Sequence, residues 1–214
     1  MAKHNSKQRK VKNTYLILVE GKTELWYLQK FKSFEEQKLS NVQIDIEPKL
    51  PTKKRLDLLL KEAKENSKSY LKVYVILDFD VILKEYSQAQ DKNKTKLRIL
   101  QDFLQKVQNQ KPKKIEVLIN NPCLEIWFLL HFEFTSKVFQ NCEDTISDLR
   151  RFLNGYEKTE NFFIRKKPNI YQILKENLSK AISNAKLLGR FDSQDYEKTL
   201  AEMYVLFEDL EIKS

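Results

Sequence analysis

Carboxylates stand at three places where an extended apolar run gives out. Glu20 ends "YLILV" (15–19), Asp78 and Asp80 end "YLKVYVIL" (70–77), and Glu125 follows Asn120-Asn121-Pro122 at the end of "KIEVLI" (114–119). Glu24 lies four residues beyond Glu20, one helical turn on, so both can face one point. Asp78 and Asp80, two residues apart in extended chain, are expected to point the same way and share a cation. Acids gathered without His or Cys suit a hard cation bound through oxygen, Mg²⁺ or Mn²⁺. Without one, carboxylates brought together repel and raise one another's pKa. The chemistry implied is that of phosphate esters: a divalent ion neutralises a phosphodiester oxygen, orients a water and stabilises the leaving oxygen, alone or as one of two.

Each acid alone has a plainer reading. An acid after a strand is often a polar residue leaving the core, and Glu125 in a first helical turn complements the helix dipole. Agreement of three strand ends weighs against coincidence. Gly21, one of only 3 glycines, fits a backbone position where a side chain would obstruct a tight turn or a ligand.

The elements that must position these acids can be read from periodicity. Strands are expected at 14–19, 42–46, 70–77 and 114–119. Helices are expected at 24–38, with Leu25, Leu28 and Phe31 on one face, at 53–66 behind Thr52 as N-cap, and at 94–109. Asn121 and Pro122 should open a further helix over 123–132 as cap and first-turn proline. Strands alternating with helices predict an α/β fold, a mostly parallel four-stranded sheet with helices on both faces and right-handed crossovers. Ligands of such sheets bind beyond the carboxyl ends of the strands, where the acids lie. After residue 140 the pattern becomes helical, at 143–153, 169–187 and 194–210, with no strand between. The expected organisation is a basic, flexible N-terminus (1–13), an α/β domain (14–140) and a helical extension (141–214).

An apolar fraction of 41%, with 13 Phe, 9 Tyr and 2 Trp, suffices for a core and argues against disorder. Trp26, Trp127 and Phe128 read as core rather than a base-stacking platform, and His131 as packed at its helix end. Two cysteines, Cys123 and Cys142, build no disulfide framework and suggest a reducing compartment. With His4 and His131 they match no zinc spacing. No secretory leader is visible, and "IWFLLHF" is too short to span a bilayer, so a soluble, cytoplasmic protein is expected. The net charge of +9 is concentrated in residues 1–12, at Lys53-Lys54-Arg55, at Lys111, Lys113 and Lys114, and at Arg165-Lys166-Lys167. A polyanionic partner fits this charge; ordinary solvated lysine is the plainer alternative.

"LVEGKTE" (18–24) followed by "VYVILDFD" (73–80) resembles the signature of the Toprim fold of topoisomerases, primases and OLD-type nucleases. "NNPCLEIWFLLHF" (120–132) resembles the Asn-Pro-Cys-x-Glu-x-Trp motif of the RloB family, Toprim-like proteins of phage-defence operons. "GYEK" (155–158) and "AISNAKLL" (181–188) resemble that family's helical tail. The resemblance implies Glu20 as general acid/base or metal ligand and Asp78 and Asp80 as catalytic Mg²⁺ ligands. It adds Glu24 and Glu125 to a one- or two-metal site, and Lys158 as a phosphate contact. Lys22, Lys53 and Lys54 are the further expected nucleic-acid contacts. It also implies a nuclease acting on DNA or RNA, tRNA included, as an antiphage effector beside an ATPase partner. Helical tails such as 143–210 often mediate dimers or partner docking, so a homodimer is one expected assembly. Two other readings stand beside it. "VILDFDVIL" resembles the Asp-x-Asp strand end of haloacid-dehalogenase phosphatases, with Asp78 as nucleophile, although the usual Gly-Thr after the second Asp is missing. The chain also reads as a non-catalytic module binding nucleic acid or an ATPase.

Overall fold

The computed structural model describes residues 13–49 and 55–212. Lys53, Lys54, Thr52 and the basic residues 1–12 lie outside them. Four strands run parallel in the order β2 (Val42–Glu47), β1 (Asn13–Val19), β3 (Lys72–Asp78), β4 (Ile115–Asn121). Between them come α1 (Lys22–Phe34), α2 (Leu56–Asn66), α3 (Asp80–Gln88) and α4 (Lys96–Gln108). The apolar runs of β1, β3 and β4 are buried on both faces, as a sheet covered on both sides requires, whereas β2, at the sheet's edge, buries only Ile44. Val73, Val75 and Leu77 face α2 and α4 through Leu59, Leu60 and Leu100, whereas Tyr74 and Ile76 face α1 through Leu28 and Phe31. Each such side chain contributes about 1.5–3 kcal/mol by leaving water.

Beyond β4 come α5 (Glu125–Leu129), α6 (Cys142–Leu149), a π-helical turn over 161–165, α7 (Ile170–Lys175), α8 (Leu178–Leu188), β5 (Leu200–Ala201) and α9 (Met203–Asp209). The sheet therefore has five strands among the described residues, not four. β5 pairs antiparallel with the end of β4, Asn120 opposite Ala201 and Asn121 opposite Leu200. The helix expected over 194–210 is confined to 203–209, because β4 would otherwise present an open edge beside the acids. Leu200 packs in the cluster on one face of the sheet and Ala201 in the other, the period of a strand rather than a helix. Glu202 fixes this segment: its carboxylate accepts from Ile119 N at 2.8 Å and Phe191 N at 2.9 Å and pairs with Arg190 at 2.7 Å. The helix expected over 169–187 is broken between α7 and α8 at Glu176 and Asn177.

The helices of the last third share one core with the sheet. Trp127, Tyr171, Leu174, Leu178 and Phe207 pack with Tyr27, Phe31 and Tyr74. Trp127, Phe128 and His131 are buried, as their sequence context indicated, and Trp26 packs on Phe163. Among the described residues no helix is long and apolar enough to cross a membrane.

Candidate active site

β1 and β3 are neighbours in the sheet, and the chain leaves β1 towards β2 on one side and continues from β3 on the other. A crevice at the strands' carboxyl ends is the geometric consequence. It is lined by Glu20, Gly21, Lys22, Thr23, Glu24, Asp78 and Val81, with a volume of about 290 Å³. α1 begins directly after Gly21, so Glu24 falls in its first turn and turns back over the strand end. Gly21 is extended, with φ −127° and ψ 177°, a conformation open to any residue. A Cβ there would lie 2.7 Å from Glu24 Oε2, so the Glu24 carboxylate would have to shift to admit a side chain.

Burial pushes the Glu24 carboxyl up to about 7, helped by the Glu125 charge, while Lys158 and a hydrogen bond with Asp78 act against the rise. Burial, then the charges of Glu24 and Glu125, also raise Asp78 well above the ordinary carboxylate range. Asp78 Oδ1 accepts from Leu124 N at 2.8 Å, and Pro122 O accepts from Phe79 N at 2.9 Å and Asp80 N at 3.0 Å. The segment 122–124 thus brackets the turn after β3. Glu125, fully buried, accepts from Tyr156 Oη at 2.6 Å and pairs with Lys158 Nζ at 3.1 Å. Burial would lower the Lys158 ammonium, but Glu125, Asp78 and Glu24 outweigh it and hold it above its usual value.

Glu20, Glu24 and Asp78 are thus brought to one cavity, with Glu125 close enough to act on two of them. Lys22 is exposed at the cavity's edge. Asp80 is placed differently from the extended-chain expectation. Phe79 is helical, with φ −90° and ψ −21°, and Asp80 opens α3. Its carboxylate accepts from Val81 N and lines a separate cavity of about 720 Å³ with Lys84, Asn121 and Pro122, although its charge still reaches Asp78. Lys158, expected to meet a phosphate, here serves as counter-ion to Glu125. Asn121 is not the cap of α5, which begins at Glu125; its amide donates to the carbonyls of Tyr196 and Lys198 at 2.8 Å each.

Three features escaped the sequence reading. Tyr156 holds Glu125; its only signal was its place in "GYEK". Asn120, opposite Asp78 in register, is fully buried, and its amide oxygen and nitrogen have no partner among the described residues. Its position at a strand end beside an acid could have singled it out. Cys123 and Cys142, read as too few for a disulfide framework, are joined to each other. Among the described residues the metal-ligating group whose donor atoms all lie within 4.8 Å of one another is Cys123, Glu125 and Cys142. The acids around the cavity are spread more widely.

No curated protein and no solved structure matches the chain. One protein family does, that of the RloB-like proteins, over residues 15–210. The match takes in the strand that delivers Glu20, the strand that delivers Asp78, the turn that delivers Glu125 and the helices packed behind them, so the chain belongs to the RloB-like family.

Proposed function

We propose that this RloB-like protein is a metal-dependent nuclease of the Toprim type that cleaves phosphodiester bonds in RNA, tRNA included, or DNA. The observation that carries the reading is the meeting of Glu20, Glu24 and Asp78 on one cavity at the switch point of the sheet. Their chemistry fits a hard divalent cation, Mg²⁺ or Mn²⁺. The donors are carboxylate oxygens, two of the acids are raised by burial and mutual charge, and Asn120 has an unpartnered buried amide beside Asp78. Glu20, Glu24 and Asp78 would hold the ion, with Glu125 behind them. Bound there, it would supply charge neutralisation at a phosphodiester oxygen and a more acidic water.

The chain's own residues do the rest. The Leu124 N–H orients Asp78, whose carboxyl also shares a hydrogen bond with Glu24. Glu20, at the tip of β1, would take or give a proton. Lys158 stays protonated and offsets part of the acid charge. The π-helical turn packs on α1 through Phe163 and Trp26, and the exposed Arg165-Lys166-Lys167 run that follows is suited to a nucleic-acid backbone. An antiphage role beside an ATPase partner follows from the sequence resemblance and belongs to the same proposal.

Cleavage of labelled tRNA and plasmid DNA in Mg²⁺ or Mn²⁺, but not in EDTA, is the expected result for the purified protein. Asp78→Asn, which keeps an acceptor for Leu124, should be inactive. Equal metal-dependent cleavage by wild type and variant would overturn the assignment. One observation favours a second reading, a latent or non-catalytic binding module: the acids are spread around the cavity while Lys158 already compensates Glu125. Salt-sensitive RNA binding unaffected by Asp78→Asn, with no cleavage, would support it.

A further inference from the structure

The bond between Cys123 and Cys142 lies beside the acids rather than at a distant surface. Cys123 is fully buried and sits between Pro122, whose carbonyl accepts from Phe79 and Asp80, and Leu124, whose N–H holds Asp78. Cys142 is half-buried at the start of α6, where Asn141 caps the helix by accepting from Asp144 N at 3.0 Å. Its sulfur lies 3.1 Å from Glu125 Oε2, and Lys158 Nζ approaches the same sulfur at 3.1 Å. The bond ties together two positions 19 residues apart, across the stretch between α5 and α6.

We propose that the Cys123–Cys142 bond is a reversible redox modification that sets how firmly segment 122–125 holds Asp78 and Glu125. Oxidised, the bond anchors the bracket to α6. Cys142, the less buried of the two residues, is the one a dithiol reductant would attack. One reductant sulfur bonds to Cys142 Sγ as the S–S bond breaks, and the electron pair leaves on Cys123 Sγ, which takes a proton. The second reductant sulfur then displaces Cys142, whose sulfur takes the other proton, and the reductant departs as a disulfide. Two changes follow at the site. The bracket loses its anchor, and the sulfur facing Glu125 Oε2 becomes an S–H able to donate to it. The consequence for the acids rests on the functional reading above; the redox change of the bracket does not.

The test compares wild-type protein treated with oxidised or reduced dithiothreitol, counting thiols after denaturation and following amide hydrogen exchange of the 120–130 segment. No thiols are expected in the oxidised protein and two in the reduced, interconvertible, with exchange at the Leu124 amide about tenfold faster after reduction. Cys142→Ser should show the faster exchange under both conditions; the wild-type comparison stands if that variant does not fold. Two thiols that persist in the oxidant, or exchange that ignores the bond, would overturn the proposal. Absence of nuclease activity in both forms would bear on the nuclease reading alone.

Discussion

Gly21 and Glu24 compete for one space: a Cβ on residue 21 would lie 2.7 Å from Glu24 Oε2. The glycine lets the glutamate fold back over the end of β1, where it meets Asp78. Gly21→Ala should therefore displace the Glu24 carboxylate while leaving the extended backbone intact. Mn²⁺ affinity should fall about tenfold or more, with a stability cost of only about 1–2 kcal/mol. Calorimetric Mn²⁺ titration beside thermal unfolding checks this, and unchanged affinity would show that Glu24 does not serve the cation.

Glu24 is held up at about 7 by burial and the neighbouring Glu125 charge. An acid raised on folding confers stability that is full below the ordinary carboxylate range and is lost as pH rises through about 7. In EDTA the protein should be more stable at mildly acidic than at mildly alkaline pH, by roughly 1–3 kcal/mol. Glu24→Gln should flatten that dependence, and so should Mg²⁺. Denaturant melts across this range, with and without Mg²⁺, provide the measurement.

Tyr156 donates to Glu125 Oε1 at 2.6 Å in a fully buried setting. Tyr156→Phe removes the donor and leaves Glu125 with Lys158 as its principal partner. A loss of about 1.5–3 kcal/mol in stability is expected, as for a hydrogen bond to a charged group. Unfolding within ~0.5 kcal/mol of wild type would mean that Lys158 alone satisfies Glu125.

Glu35, nearly buried beneath α7, reverses the sign of the Glu24 case. Burial alone would raise its carboxyl, but Lys175, Tyr171 and Lys38 outweigh burial and hold it below the ordinary value. The stability it confers is present above the ordinary carboxylate range and is lost as pH falls through its lowered value. Lys175→Met should cost about 1–3 kcal/mol at neutral pH, since Glu35 keeps only the Tyr171 hydroxyl and the more exposed Lys38 as partners, and less in acid. An equal cost at both pH values, read from denaturant melts, would contradict this.

β1, β3 and β4 were legible because they are short apolar runs ended by acids or asparagines, a composition that burial on both faces demands, and β2 because it alternates apolar and polar residues. Gly21, Glu24 and Glu125 were legible for the same reason, from their offsets to strand ends. Asp80 was misplaced by assuming that β3 runs on past Asp78. The Phe79 and Asp80 N–H groups instead bond Pro122 O, a partner more than 40 residues away that no local pattern reveals. β5 escaped for a similar reason. Leu200 and Ala201 lie in a stretch of helical periodicity, and only the open edge of β4 makes them a strand. The Cys123–Cys142 bond depended on how the stretch between α5 and α6 returns to the sheet.

In the proposed reading Glu20, Glu24 and Asp78 hold a divalent cation together. Calorimetric titration of Mn²⁺ into wild type and the Glu24→Gln, Asp78→Asn double variant tests it most directly. Saturable binding by wild type, displaced by Mg²⁺, is expected, with a loss of at least ~100-fold in affinity in the folded double variant. Equal affinity in the two proteins would place the cation elsewhere and rule out these three acids as its ligands.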